Sequence, residues 1–168
     1  MDNYIVINGI KIPMTDEQVN MINATIKPKR QNPFDRVKND QMYYFIEYDG
    51  SIGVNTENDD PYDDNVFDVG NYCTDRNLME LRALHETLGR LLWRFSMENG
   101  GDRLRLSDQD TKKWYIYCDP RDPSRFNTMY TFRAIHVGET YFLTKELADR
   151  AIHEIIWPFI ETHPRYKI

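Results

Sequence analysis

The sequence predicts an α+β fold: two similar antiparallel β-sheet plus α-helix units, preceded by an N-terminal hairpin and a short helix. Three observations carry this. Asn8-Gly9 and Asp49-Gly50 each divide a run of β-branched and aromatic residues, the pattern of a two-residue hairpin turn. Leucines recur at spacings of three and four from Leu78 to Leu92, the period of an amphipathic helix. The stretch "VFDVGNYCTDRNLMELRAL" (66–84) returns in outline about seventy residues later as "IHVGETYFLTKELADRAI" (135–152). At 168 residues the chain can bury roughly 70% of the surface its unfolded form exposes. Its 11 Tyr, 8 Phe and 3 Trp carry large buried areas and argue against intrinsic disorder.

In chain order, "YIVINGIKI" (4–12) forms the first hairpin and Pro13 stops it. Thr15 and Gln18 stand at capping-box spacing, so a short helix follows with Val19, Ile22 and Ile26 as its apolar stripe. Pro28 and Pro33 bracket an extended basic connector. "MYYFIEYDGSIGVNT" (42–56) is the second hairpin, and "NVFDVGNYCT" (65–74) reads as a further short strand that delivers Thr74 as a helix cap. The helix it opens buries Leu78, Leu81, Leu84, Leu88, Leu91, Leu92 and Phe95, and Asn99-Gly100-Gly101 ends it. Its other face balances Arg82, Arg90 and Arg94 against Glu80, Glu86 and Glu98, the pattern of a solvated face.

The order then repeats. "KKWYIYCDPRD" is a strand and turn, "NTMYTFRAIHVG" and "ETYFLT" are strands, and a helix after Thr144 buries Leu147, Ala148, Ala151, Ile152, Ile155 and Ile156 until Pro158 ends or kinks it. Asp49 and Asp119, Ile46 and Ile116, Tyr72 and Phe142, and Thr74 and Thr144 are matched at a spacing of seventy. These are residues a fold needs, namely turn, core and cap. The expected organisation is 1–40 (hairpin, short helix and basic linker), 41–101 (first sheet–helix unit) and 102–168 (second), packed as one compact domain.

Charge is sharply segregated. Residues 41–70 hold eight carboxylates and no Lys or Arg, so the rest of a chain with net charge −6 sums to +2. Glu57, Asp59, Asp60, Asp63, Asp64 and Asp68 crowd one stretch, just after a linker carrying Lys27, Lys29, Arg30, Arg36 and Lys38. The plain reading is a solvated acidic loop that keeps an edge strand soluble. A sharper one is an acidic patch that docks on a basic surface. Calcium is disfavoured by Pro61 in the middle of the run and by the missing D-x-[DN]-x-[DN]-G order.

Catalytic devices are scarce. The chain has no G-x-S-x-G, phosphate-cradling glycine loop or H-E-x-x-H helix. His85 and His153 read as boundary or hydrogen-bonded core residues of their helices, and His136 and His163 have no companion at metal-ligand spacing. Cys73 and Cys118 stand outside any CxxC and read as reduced packing residues. No catalytic residue, metal ligand or cofactor is assigned. Carboxylates around Mg²⁺ share no fixed spacing, so a metal-dependent nuclease stays open as a third class. Neither a membrane-length apolar run nor a basic leader occurs, and the chain reads as cytoplasmic with no membrane partner.

The string "NPFDRV", "YYFIEYDG", "VFDVGNYCTDRNLMELRAL", "RFSMENGG" and "YFLTKELADRAIHEI" resembles a widespread set of small uncharacterised proteins of Gram-positive phages and prophages, over about residues 32–163. Cys73 departs from that set, which carries an aromatic there, and this favours packing over reactivity. The resemblance implies a phage or mobile-element accessory protein made in a bacterial cytoplasm. On that basis the leading expectation is a protein-binding inhibitor of a host machine, anti-defence or anti-CRISPR in type, whose acidic segment meets a host protein or nucleoprotein complex with a basic surface. The alternative is a nucleic-acid-binding accessory protein of phage replication. It would use Lys27, Lys29, Arg30, Arg36 and Lys38, with Tyr43, Tyr44 and Tyr48 as stacking platforms.

Overall fold

A computed structural model describes residues 4–7, 9–25, 32–105, 107–133, 136 and 138–166. The fold is α+β, built of helices and antiparallel strand pairs. It comprises two compact units, Met1–Asp35 and Arg36–Ile168, so residues 36–40, assigned from the sequence to the N-terminal part, belong with the two sheet–helix halves.

In the first unit β1 (Tyr4–Ile7) pairs antiparallel with β2 (Ile10–Pro13), and Gly9 turns between them at φ 82°. The capping box is formed before α1 (Asp16–Thr25): Gln18 N–H donates to Thr15 Oγ1 at 3.3 Å and Thr15 N–H to Gln18 Oε1 at 2.9 Å. Asn8, Ile26 and Pro28 lie outside the described residues.

The second unit opens with the hairpin β3 (Met42–Ile46) and β4 (Ile52–Thr56), in register Tyr44↔Val54. Its turn is built as the sequence predicts, with Asp49 Oδ1 accepting from Ser51 N–H at 2.9 Å and Gly50 at φ 88°. The two-residue period of the strand splits its side chains between two helices. Tyr43 and Phe45 pack with Val66 of α2 (Pro61–Asp68) and with Tyr72. Ile46, Tyr44 and Ile52 pack on the other side with Cys73 and with Met79 and Ala83 of α3 (Arg76–Glu98).

Gly53 is required by this packing, because a Cβ there would meet Phe45 Cζ at 2.5 Å and Glu47 Oε1 at 2.7 Å. Gly53→Ala therefore destabilises by about 1–3 kcal/mol through overpacking. Thermal unfolding checks it, and an unchanged midpoint would show that the Phe45 ring moves aside freely.

Three expectations for this half need correcting. Residues 65–68 are not strand: they complete α2, which Asp60 caps and Pro61 begins. Only Cys73 keeps a strand-like role, exchanging backbone hydrogen bonds with Tyr44 at 2.7 and 3.0 Å, while the Asn71 side-chain amide pairs with the Ile46 backbone in place of a neighbouring strand. The cap of α3 is Asp75 rather than Thr74, accepting from the N–H groups of Asn77 and Leu78. Its buried stripe at the start runs through Met79 and Ala83, leaving Leu78 and Leu81 exposed, before Leu88 and Phe95 take over. The helix ends at Glu98, and Gly100 follows at φ 90°.

After a short 3-10 turn at Gly101–Arg103, β5 (Lys113–Asp119) and β6 (Asp122–Thr131) form the third hairpin. Asp119 Oδ1 accepts from Arg121 N–H at 2.9 Å, repeating the Asp49 turn seventy residues on. The strand expected at 139–144 is reduced to one bridge, Trp114↔Phe142. Thr144 caps α4 (Lys145–Ala151), accepting from Leu147 N–H at 3.3 Å. Pro158 does not end this helix. A π-turn over Ile152–Ile156 joins α4 to α5 (Trp157–Thr162), where the missing Pro158 N–H is absorbed by a wider turn.

The repeat is structural, with a slip of one residue. The bridge Tyr44↔Cys73 answers Trp114↔Phe142, and the cap Asp75 answers Thr144. The true partners of Phe142 and Thr144 are thus Cys73 and Asp75, not Tyr72 and Thr74.

Candidate functional site

The acidic stretch is a folded corner, built around two buried carboxylates. Asp60 Oδ1 accepts from Tyr62 and Asp63 N–H at 2.8 and 2.9 Å, which starts α2 and fixes the turn before it. Asp63 is 0% exposed. Its Oδ1 accepts from the Tyr43 hydroxyl at 2.5 Å and Asn55 Nδ2 at 3.2 Å, and its Oδ2 from Asn58 N–H at 2.7 Å. Glu57 is likewise 0% exposed. Arg36 grips it bidentately, Nη2 to Oε1 at 2.7 Å and Nε to Oε2 at 3.1 Å, and the Tyr72 hydroxyl donates to Oε2 at 2.9 Å. Asp59 N–H also donates to Glu57 Oε1 at 3.1 Å, which bends the chain at Asp59 to φ 54°, a left-handed conformation that Asp tolerates.

Between the two carboxylates the Tyr43 and Tyr72 rings stack, centroids 4.1 Å apart, and Phe67 meets Tyr72 edge-on at 5.4 Å. The Arg36 guanidinium also pairs with Asp64 at 2.7 Å and Asp59 at 3.5 Å and lies over the Phe67 ring. Among the described residues no buried side-chain nitrogen or oxygen lacks a hydrogen-bond partner.

The electrostatics follow from this geometry. The Arg36 hydrogen bonds hold the Glu57 carboxyl below its usual range against the opposing effect of burial. Burial alone would raise Asp63, but the donors Tyr43 and Asn58 outweigh it and the net shift is downward. Burial, reinforced by the bond to Glu57, pushes the Tyr72 hydroxyl up to about 12, and burial with the bond to Asp63 raises Tyr43 as well. Glu57 and Asp63 are thus ionised, internal and structural.

The six acidic candidates therefore divide. Glu57 and Asp63 face inward and present nothing to a partner, correcting their assignment as surface contacts. Asp59 and Asp64 stand out, with side chains 66% and 55% exposed, and Asp68 is exposed at the end of α2. Asp60 is half-buried by its capping role. Exposed Tyr62 lies among them. Sequence reasoning missed the internal role although Asp-Pro followed by two Asp is the signature of a helix start, with acids at the positive end of the helix dipole.

The described nucleic-acid candidates do not share one exposed surface. Lys27, Lys29 and Arg30 lie outside the described residues. Arg36 is committed to three carboxylates, Tyr43 is buried and bonded to Asp63, and Tyr44 is half-buried against the α3 cluster. Lys38 is exposed, and Tyr48 is fully exposed at the hairpin tip.

Elsewhere, His85 Nδ1 lies 3.0 Å from the Tyr166 hydroxyl and His163 Nδ1 is 2.8 Å from the Phe159 carbonyl, while His136 and His153 are exposed. Cys73 is a buried thiol inside the α3 cluster, as expected of a packing residue, and Cys118 is a half-buried thiol. Among the described residues no three His, Cys, Asp or Glu side chains converge as metal ligands, and no helix is long and apolar enough to cross a membrane. Compared with protein-family models, curated proteins and solved structures, the chain matches none.

Proposed function

We propose that this protein is a cytoplasmic accessory protein of a phage or mobile element. In this reading it binds and inhibits a host protein or nucleoprotein complex with a basic surface, in an anti-defence role of the anti-CRISPR type. The observation that carries the reading is the rigid acidic corner. Residues 41–70 hold no Lys or Arg, and two buried carboxylates with Arg36 lock the backbone that displays Asp59, Asp64, Asp68 and Tyr62. A solvated loop needs no such internal lattice. A fixed display of like charge beside an exposed aromatic ring lowers the ordering cost of binding and steers a basic partner.

The test is a variant with Asp59→Asn, Tyr62→Ala and Asp68→Lys. Asn keeps the left-handed backbone at 59, and Lys suits the C-terminal end of α2, so the fold is retained. Host proteins captured by the wild type are identified and their affinities compared at two salt concentrations. Binding is expected to weaken about tenfold and to lose much of its salt dependence. Equal affinity for the same partners by the folded variant would overturn the reading.

A further inference from the structure

A pocket lies where α3 meets the β5–β6 hairpin. A cavity of about 390 Å³ opens between α3, β5, the 138–142 segment and the C-terminal Tyr166. That volume lies in the range of small-molecule sites. Leu88, Leu92, Ile116 and Phe142 form apolar walls: Leu88 and Phe142 come from two core clusters, and Leu92 and Ile116 pack against both. At the rim the Tyr166 hydroxyl meets His85 Nδ1 at 3.0 Å, and Glu139 adds a carboxylate. Neither Lys nor Arg lines it among the described residues.

Gly89 gives the cavity its meaning. It sits in the interior of the 23-residue α3, where glycine is the least favourable residue after proline. Its backbone is helical, and a Cβ built on it meets no atom within 4 Å, so neither the helix nor the packing requires glycine. What the missing side chain does is widen the cavity wall and expose helix backbone to whatever occupies it. Gly138, also on the lining, is explained otherwise, since its φ of 84° demands glycine.

We propose that this cavity binds a small aromatic molecule that donates hydrogen bonds and is neutral or cationic. The ring lies between the leucines, Ile116 and Phe142 over the bare backbone of Gly89, and its donor group reaches Glu139 and the Tyr166 hydroxyl. Anionic rings are disfavoured by Glu139, which no Lys or Arg among the described lining residues offsets.

The probes are benzylamine, indole and benzoate at millimolar concentration, read by amide chemical shifts of the full chain. Benzylamine and indole are expected to shift Gly89, Gly138 and Thr140, and benzoate to shift them at least severalfold less. Gly89→Leu fills the wall and abolishes those shifts while its thermal midpoint holds or rises. Glu139→Gln, on an exposed residue, brings benzylamine and benzoate closer together. The proposal is overturned if no probe moves these amides, if benzoate binds as well as benzylamine, or if folded Gly89→Leu still binds. Should Gly89→Leu fail to fold, the Glu139→Gln comparison decides alone.

Discussion

Glu57→Gln lowers the unfolding midpoint by roughly 10 °C, whereas Asp64→Asn, on the same arginine, barely moves it. Both carboxylates accept from Arg36 at 2.7 Å, so contact distance alone ranks them equal. Burial separates them. Glu57 is fully enclosed and Asp64 more than half exposed, so removing the first charge takes from Arg36 its one buried carboxylate and from the Tyr72 hydroxyl its charged acceptor, while water replaces the second. Breaking a buried pair from one side costs about 3–5 kcal/mol, and the partial exposure of Arg36 places this case at about 3. An exposed pair contributes less than about 1 kcal/mol. At 3–5 °C per kcal/mol for a unit of this size, thermal circular dichroism separates the two variants readily. Equal shifts would mean that Glu57 is hydrated.

The same network sets the pH limits. Glu57 and Asp63 have folded-state values below their unfolded ones, so their contribution is complete above the unfolded carboxylate range near pH 4 and is lost as pH falls through the lower folded values. Tyr43 and Tyr72 are shifted the other way. Their contribution is complete below about pH 10, the unfolded value, and is lost as pH rises through the folded values, near 12 for Tyr72. The contribution of these four groups is therefore flat between these limits, and Tyr72→Phe removes part of the alkaline arm.

What was legible in the sequence is what local chemistry dictates. Asp49 and Asp119 both make the turn their side chains can close, the Thr15–Gln18 capping box forms, and α3 stops at its glycines. The failures share one cause, competition between local signals that only tertiary contacts settle. Thr74 and Asp75 are both competent caps, and the bridge of Cys73 to Tyr44 selects the second, which shifts the buried stripe from Leu78 and Leu81 to Met79 and Ala83. "NVFDVGNYC" has strand composition, yet Asp60-Pro61 nucleates a helix that lays Val66 on Tyr43 and Phe45. Burial of Glu57 and Asp63 was beyond any local pattern, because it depends on Arg36 and Tyr43, some twenty residues distant in sequence.

Lys113→Met destabilises by about 3 kcal/mol, against the general expectation that an apolar side chain of similar length is welcome in a core. Lys113 is 0% exposed, as is Tyr43, seventy residues before it at the matching position of the first half. The two halves fill that position by different chemistry. Tyr43 meets a carboxylate, while the Lys113 ammonium donates to the backbone carbonyls of Asp108, of Thr111 at 3.2 Å and of Phe132 at 3.0 Å. A buried ion pair can be replaced whole by apolar groups at little cost, because both polar partners leave. Here the partners are main chain and stay. Methionine strands three carbonyls, each costing about 1–3 kcal/mol when dry, and recovery of water at the half-buried Asp108 end brings the sum to about 3. The loss is local in its first effect, since the ammonium ties the 108–111 turn to the end of β6. Amide exchange should accelerate at residues 108–113 and 131–133 before the rest of the second unit opens, and denaturant unfolding should give the full cost. A Lys113→Met protein as stable as the wild type would show that those carbonyls are already served by water.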